Sequence, residues 1–461
     1  MSRFLTGKRI IILVLAAAVL VGGFFIFSYV KENKVSIAIN SLAALEKITR
    51  LLPIEADTKK ELSAINSLVE ALTKNDNVEK SFLLLLQNNM ELRPGGGFLG
   101  QYAVIKIKNG QVTYNYFEDA NLLDQRITAK VVPPYPFTKM MQLKTWKFRD
   151  SNFSPDFPTN VEKAKYFYRL AGRSSDFDGV IAVNSDILLD VLSLTGPITV
   201  PGYAGEYNSQ NAVLKLEEQV EKAYIMNPKI DTQNRKAIMK KMASILVDKL
   251  TQLNNIPKIA ELLLEELRNK NLMMNFKDPA LQSLVEGVYW DGKVAYDWGS
   301  DYLMMVDANM GAFKTDYYMK REITYNIDLT QEKPVVDLDI LYKNTAPYGD
   351  WRTSDYHSYM RLYVPKGAAL LERQMVSYPL VQNEKGKTSM GFIVHVLIGR
   401  ETLAHIKYEL PADFDKENYK LLVQKQSGVG DVPIKVNVKS NKGDLSYDGI
   451  LKSELRLELS K

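Results

Sequence analysis

The 461-residue chain contains no cysteine. That absence removes disulfides, thiol nucleophiles, thiolate metal sites and iron–sulfur clusters, so the fold must be held by its apolar core. Histidine is almost as scarce, with only His357, His395 and His405, all in the last quarter of the chain. A Ser-His-Asp triad in the earlier part is therefore excluded, and neither an H-E-x-x-H zinc helix nor a G-x-S-x-G nucleophile elbow occurs. His395 and His405 fall in expected strands and read as packing or edge residues rather than metal ligands. Long apolar runs are lacking too, with one exception at residues 10–30.

That exception is long enough to span a bilayer, since roughly 20 helical residues cover the ~30 Å hydrocarbon core. Arg3, Lys8 and Arg9 precede it, and Lys31, Glu32 and Lys34 follow. The balance places the N-terminus in the cytoplasm and everything after residue 34 outside. The run also exceeds the ~7–15 residues of a signal-peptide core, which favours an uncleaved anchor over a leader ending near Ala16-Ala17-Ala18. The expected location is thus a cell membrane, crossed once. Of the formal charge of +5, residues 1–34 carry +4. The basic pI is therefore a membrane-flank effect and gives no support for nucleic-acid binding.

Four parts are expected: 1–34, the cytoplasmic flank and anchor; 35–77, a helical stalk; 78–312, an α/β domain; and 313–461, a β-sandwich. Within the stalk, Leu62, Ile65, Leu68, Val69 and Leu72 share one helical face. In the third part, strands are expected over 82–86, 99–108 and 112–117, with Asn109-Gly110 as a hairpin turn. A helix over 159–172, a strand over 178–183 and further helices follow. Strands interleaved with helices argue for an α/β core, and the whole chain reads as α+β multidomain. Beyond residue 315, short alternating strands separated by turn signals argue for an antiparallel sandwich. The aromatic stretch WRTSDYHSYMRLY (351–363) reads as core and cross-strand pairs.

The richest local chemistry lies in Glu91-Leu92-Arg93-Pro94-Gly95-Gly96-Gly97. It is not a Walker loop, because a strand rather than a helix follows and no Lys-Ser/Thr is present. Gly386-Lys387-Thr388 fails as well, having Val381 where the first glycine belongs. Triple glycine permits positive φ and close backbone approach, either to a ligand or to a neighbouring element. Downstream, Glu118, Asp119, Asp124, Arg126, Arg149, Asp150 and Asp156 supply carboxylates and guanidiniums. Carboxylate oxygens suit Mg²⁺ and planar guanidiniums suit phosphate oxygens. The candidate phosphate ligands are Arg93, Gly95, Gly96, Gly97, Arg126 and Arg149; the candidate Mg²⁺ ligands are Asp119, Asp124 and Asp156. Solvated loop charge is the plain alternative for each.

In chain order, LLLQNNMELRPGGGFLG, NFSPDFP, FDGVIAVNSDILLDVLSLTGPITV, YMRLYVPKGA and LLVQKQSG resemble the bacterial membrane-anchored domain-of-unknown-function 4012 family. That resemblance implies architecture and envelope location but no reaction. A more distant resemblance is to the LytR-CpsA-Psr family, which transfers glycopolymers from polyprenyl-pyrophosphate lipids to the cell wall. It implies a core of that family's α/β type. Glu91-Leu92-Arg93 and Arg149-Asp150-Ser151 are the segments set against the Asp-x-Arg and Arg-Asp-Thr signatures of that family, and each differs from its signature by one residue. Two readings stay open. One is an envelope protein binding glycan or protein partners; the other is a Mg²⁺-dependent phosphotransferase acting on a lipid-linked pyrophosphate. Whether the chain is an enzyme is left undecided.

Overall fold

The computed structural model describes residues 55–222, 237–252 and 256–459. The expected membrane anchor at 10–30 and the part of the expected stalk before residue 55 lie outside the described residues. Among those described, no helix is long and apolar enough to cross a membrane. The fold is mixed α+β, and the chain divides into two compact units. The first comprises residues up to Gln87, Leu99–Ala129 and Phe157–Gly292; the second comprises Asn88–Phe98, Lys130–Asp156 and Lys293–Lys461. The chain thus leaves the first unit twice and returns, where the sequence reading places one boundary at 312.

A five-stranded sheet organises the first unit, in the order β3-β2-β1-β4-β7. Its strands are β1 (Glu79–Asn88), β2 (Phe98–Lys108), β3 (Gln111–Asp119), β4 (Gly179–Asn184) and β7 (Leu272–Phe276), with a short ribbon of β5 (Ile198–Thr199) and β6 (Glu206–Tyr207) apart from it. β1 and β4 run parallel with Phe82 opposite Gly179. β2 and β3 form a hairpin whose Asn109 and Gly110 both take positive φ, as an Asn-Gly turn requires.

Strand alternation sends Phe82, Leu84, Ala103, Ile105, Val183, Met274 and Phe276 into one apolar cluster. The helices Ala56–Thr73, Ile187–Thr195, Ala237–Gln252 and Ile256–Arg268 contribute to the same cluster. Helix Ala56–Thr73 is therefore a layer of the first unit, not a free stalk. Its Ala64, Ile65, Leu68 and Val69 are buried in that core, and an apolar stripe of this kind needs such a partner surface. A cavity of about 60 Å³, lined only by apolar side chains including Ile65, Leu84, Ile105 and Trp290, remains there. The intervening strand residues face the other way, where Tyr102 meets Tyr168 of helix Phe157–Leu170 edge-on, with ring centroids 5.7 Å apart.

The second unit is built on two six-stranded sheets. One has the order β12-β15-β10-β9-β17-β18, from Ala369–Gln374, Glu401–Glu409, Val335–Asn344, Met319–Asp328, Val432–Lys439 and Leu445–Leu451. The other has the order β13-β14-β11-β8-β16-β19, from Ser377–Glu384, Lys387–Val396, Tyr356–Pro365, Asp301–Val306, Lys420–Val423 and Leu455–Glu458. Tyr325, Leu338 and Ile340 from the first share one core with Leu303, Leu362 and Phe392 from the second, which makes the pair a sandwich. β9 and β10 alternate buried and outward residues along their full length. Most pairings are antiparallel, as expected, but β16 lies parallel to β8 and β17 parallel to β9.

Candidate functional site

The Glu91–Gly97 loop belongs to the second unit, where its own backbone closes it. Phe98 N donates to Glu91 O at 2.9 Å and Gly96 N to Arg93 O at 2.9 Å. Gly96 adopts φ 130°, open to glycine alone. A Cβ on Gly97 would stand 2.5 Å from the Asn88 carbonyl, so this glycine serves close packing of backbone on backbone. The rest of the unit then holds the loop. Gly95 N donates to Asn152 O, Leu92 N to Asp316 Oδ2, and Gln426 Nε2 to Arg93 O.

Arg93 is 1% exposed, and each of its guanidinium nitrogens is engaged. Nε donates to Asp150 Oδ1 at 3.0 Å, Nη2 to Glu91 Oε1 at 2.9 Å, and Nη1 to the Asn309 carbonyl at 2.9 Å. Lys314 Nζ donates to the other Glu91 oxygen at 2.6 Å. Burial pushes the Glu91 carboxyl up, but Lys314 and Arg93 outweigh it and hold it below the ordinary range. Burial likewise works against charge on Arg93, and Asp150 and Glu91 overcome it. Asn309 Nδ2 and Leu92 N both donate to Asp316, which pairs with Arg321 at 2.9 Å, and Arg321 pairs with Asp307 at 2.7 Å. The loop is thus one end of a buried lattice of alternating charge.

A second constellation occupies the first unit. Glu118, at the end of β3, is buried yet receives two arginines. Arg126 donates to both its oxygens at 2.7 Å, and Arg173 Nη2 lies 3.3 Å from Oε2. The hydroxyls of Tyr102 and Tyr116 also donate to it. Burial raises the Glu118 carboxyl, but Arg126 and the two tyrosine hydroxyls more than reverse this, so it stays ionised. The Arg173 guanidinium lies 5.0 Å from the Tyr116 ring and 5.7 Å from that of Tyr168. Arg126 is 41% exposed and Arg173 27%, so two cations on one carboxylate leave a net positive, partly open patch.

The expected ligands are distributed between these settings. Arg93, Gly95, Gly96, Gly97, Arg149 and Asp156 fall in the second unit; Asp119, Asp124 and Arg126 fall in the first. Arg93 and Arg149 do come together, bracketing Asp150, with Arg149 the looser at 3.9 Å and 39% exposed. Asp156 accepts from Val294 N and pairs with Lys385 at 3.0 Å. Asp119 caps helix Ala120–Arg126 by accepting from Asn121 N, and Asp124 is buried within that helix. Among the described residues, the cluster that has metal-ligand spacing is Asp337, Asp339 and His405. Sequence reasoning also passed over Asp307 and Arg321, and over Lys314 and Arg173, whose partners Glu91 and Glu118 are distant in the chain and leave no local signal.

No curated protein matches the chain. Residues 77–220, which include the Arg93 loop, the Glu118 cluster and strands β1 to β4, match the family described as "Protein of unknown function (DUF4012)".

Proposed function

We propose that this chain is a membrane-anchored, extracytoplasmic cell-envelope protein that acts by binding envelope glycan rather than by transferring a phosphoryl group. The observation that carries this reading is the state of Arg93. The loop that resembles a phosphate cradle is already filled by Glu91, Asp150 and the Asn309 carbonyl, and Arg93 has no nitrogen left for a ligand. The apolar run at 10–30 and its flanking charges support the location.

The outer face of the sheet containing β9, β10 and β17 supplies a surface of suitable chemistry. An open groove of about 890 Å³ there is lined by Asn326, Asp328, Asp337, Lys407, Asn437 and Lys439, among others. Asn437 donates to Asn326 at 2.8 Å and accepts from Ser446 at 3.0 Å, so amides and hydroxyls form a ladder across three strands. Such a lining offers donors and acceptors to a hydroxyl-rich polymer. The test is co-sedimentation of the full-length chain with purified insoluble cell-wall glycan. Binding that Asn437→Leu and Lys439→Ala each weaken supports the reading; recovery of all the protein in the supernatant overturns it.

A phosphotransferase reading retains one specific observation, the partly open Arg126–Arg173 pair. A polyprenyl-pyrophosphate analogue bound at 100 times its Kd would stabilise the protein by about 2.7 kcal/mol. A Mg²⁺-dependent thermal shift lost in Arg126→Ala would favour transfer over glycan binding.

A further inference from the structure

The one cluster with metal-ligand spacing among the described residues lies on the outer face of the sandwich, and neither reading above uses it as such. Strand β10 alternates strictly, so Asp337 and Asp339 project from the same outward side. Cross-strand register sets His405 of β15 directly opposite Asp339, and Lys407 opposite Asp337. His405 Nδ1 lies 2.9 Å from Asp339 Oδ1 and 3.5 Å from Asp337 Oδ1, and all three donor atoms are within 4.8 Å of one another. The side chains are 20%, 34% and 42% exposed for His405, Asp339 and Asp337, open enough for an ion to enter.

We propose that Asp337, Asp339 and His405 hold a divalent transition-metal ion, with its remaining coordination positions open to solvent. Tetrahedral zinc with nitrogen and oxygen ligands at about 2.0–2.2 Å separates its donors by about 3.4 Å. The spacings to His405 bracket that value, so the side chains need shift only slightly. One imidazole with two carboxylates selects Zn²⁺ or an ion of like preference; Ca²⁺ and Mg²⁺ favour oxygen alone. The ion binds Nδ1 of the neutral imidazole, whose proton then sits on Nε2. Two carboxylates two residues apart on one strand face repel each other. A dication between them balances both charges.

The test is calorimetric titration of the chelator-stripped full-length chain with zinc chloride. The expected result is saturable uptake of one ion per chain. His405→Ala and Asp339→Asn should each weaken it by roughly tenfold or more, while Asp448→Asn, an exposed acid elsewhere on the same sheet, leaves it unchanged. Cobalt(II) gives a second readout: a visible ligand-field band present in the parent and absent in His405→Ala, with both proteins melting at the same temperature before metal is added. Uptake that is not saturable up to millimolar zinc, or that His405→Ala leaves intact, overturns the site and leaves the three residues as an ion pair. The glycan sedimentation result is unaffected by either outcome in metal-free buffer.

Discussion

Replacing Arg93 with alanine separates a strut from a ligand. A ligand arginine can be removed with little effect on folding. A strut cannot, and the loss here can be estimated. Arg93→Ala leaves Asp150 without its 3.0 Å partner, Arg149 being partly exposed and 3.9 Å away. Glu91 keeps Lys314 but loses one of its two cations. The Asn309 carbonyl loses its charged donor, and the guanidinium's contacts with the Phe98 and Phe137 rings, at 5.4 and 5.9 Å, become empty space. Breaking a buried ion pair by deleting one side typically costs about 3–5 kcal/mol. In a unit of about two hundred residues, roughly 4 kcal/mol lowers Tm by about 8–16 °C.

The assay is differential scanning calorimetry of the full-length chain beside Arg93→Ala, Arg93→Lys and Asp150→Asn. Lysine should rescue little, because one ammonium cannot reach three acceptors fixed by a planar fork. The Arg93→Ala and Asp150→Asn losses should couple by more than about 1 kcal/mol, as contacting residues do. The interaction also fixes a pH dependence. Glu91 is held below its ordinary pKa, so its contribution is complete above the unfolded carboxylate value and is lost as pH falls through the lower, folded value. The parent's advantage over Arg93→Ala should therefore shrink on acidification below about pH 4.5. An Arg93→Ala protein melting within about 1 °C of the parent would refute this reasoning, since that shift corresponds to well under 1 kcal/mol.

Gly97→Ala places a methyl 2.5 Å from the Asn88 backbone and should cost about 3 kcal/mol or more in urea unfolding. Gly172→Ala, at φ 76° with open space around it, should cost only about 1 kcal/mol, and equal losses at both would contradict the packing argument. Burial raises the Asp301 carboxyl to about 6 despite hydrogen bonds from Tyr325 and Tyr419. The native state therefore keeps a proton that the unfolded chain releases, and stability falls as pH rises from about 4 to 6, by at most about 3 kcal/mol. Asp301→Asn lacks this descent, so its deficit relative to the parent should shrink between pH 4 and pH 7; a constant deficit would refute the assignment. Glu118→Gln removes the charge that Arg126 and Arg173 share and should lower stability by about 1–3 kcal/mol in chemical denaturation, and no loss would mean the arginines are held by solvent and the tyrosines alone.

What the sequence made legible is what local periodicity encodes. β9 and β10 announce themselves because Ile323, Tyr325 and Ile327, then Val336, Leu338 and Ile340, fall on one side of each strand. Asn109-Gly110 gives the hairpin. The missed strands lack that signature for identifiable reasons. β12 and β13 are edge strands whose residues are almost all exposed, so no alternation marks them. β8 is the reverse case, with all six residues buried and again no period to read. The two departures of the chain from the first unit, at 88–98 and 130–156, depend on contacts far apart in sequence and carry no compositional boundary.

The site was half legible for a related reason. An arginine beside a proline and three glycines is the same sequence signal whether the backbone closes on a phosphate or on a neighbouring strand. Burial and donor count discriminate the two. Arg93 is 1% exposed with all its nitrogens directed at protein acceptors, and Gly97 presses on Asn88 and Asn89 rather than lining a space. Three residues of the motif thus have a structural use: a guanidinium fork at Arg93, a positive φ at Gly96, and a missing Cβ at Gly97. Arg126 and Arg173 differ from Arg93 in exposure, their side chains being 41% and 27% accessible while both pair with Glu118. Arg173, 55 positions from Glu118, and His405, 66 positions from Asp339, meet those partners only because the fold brings distant segments together.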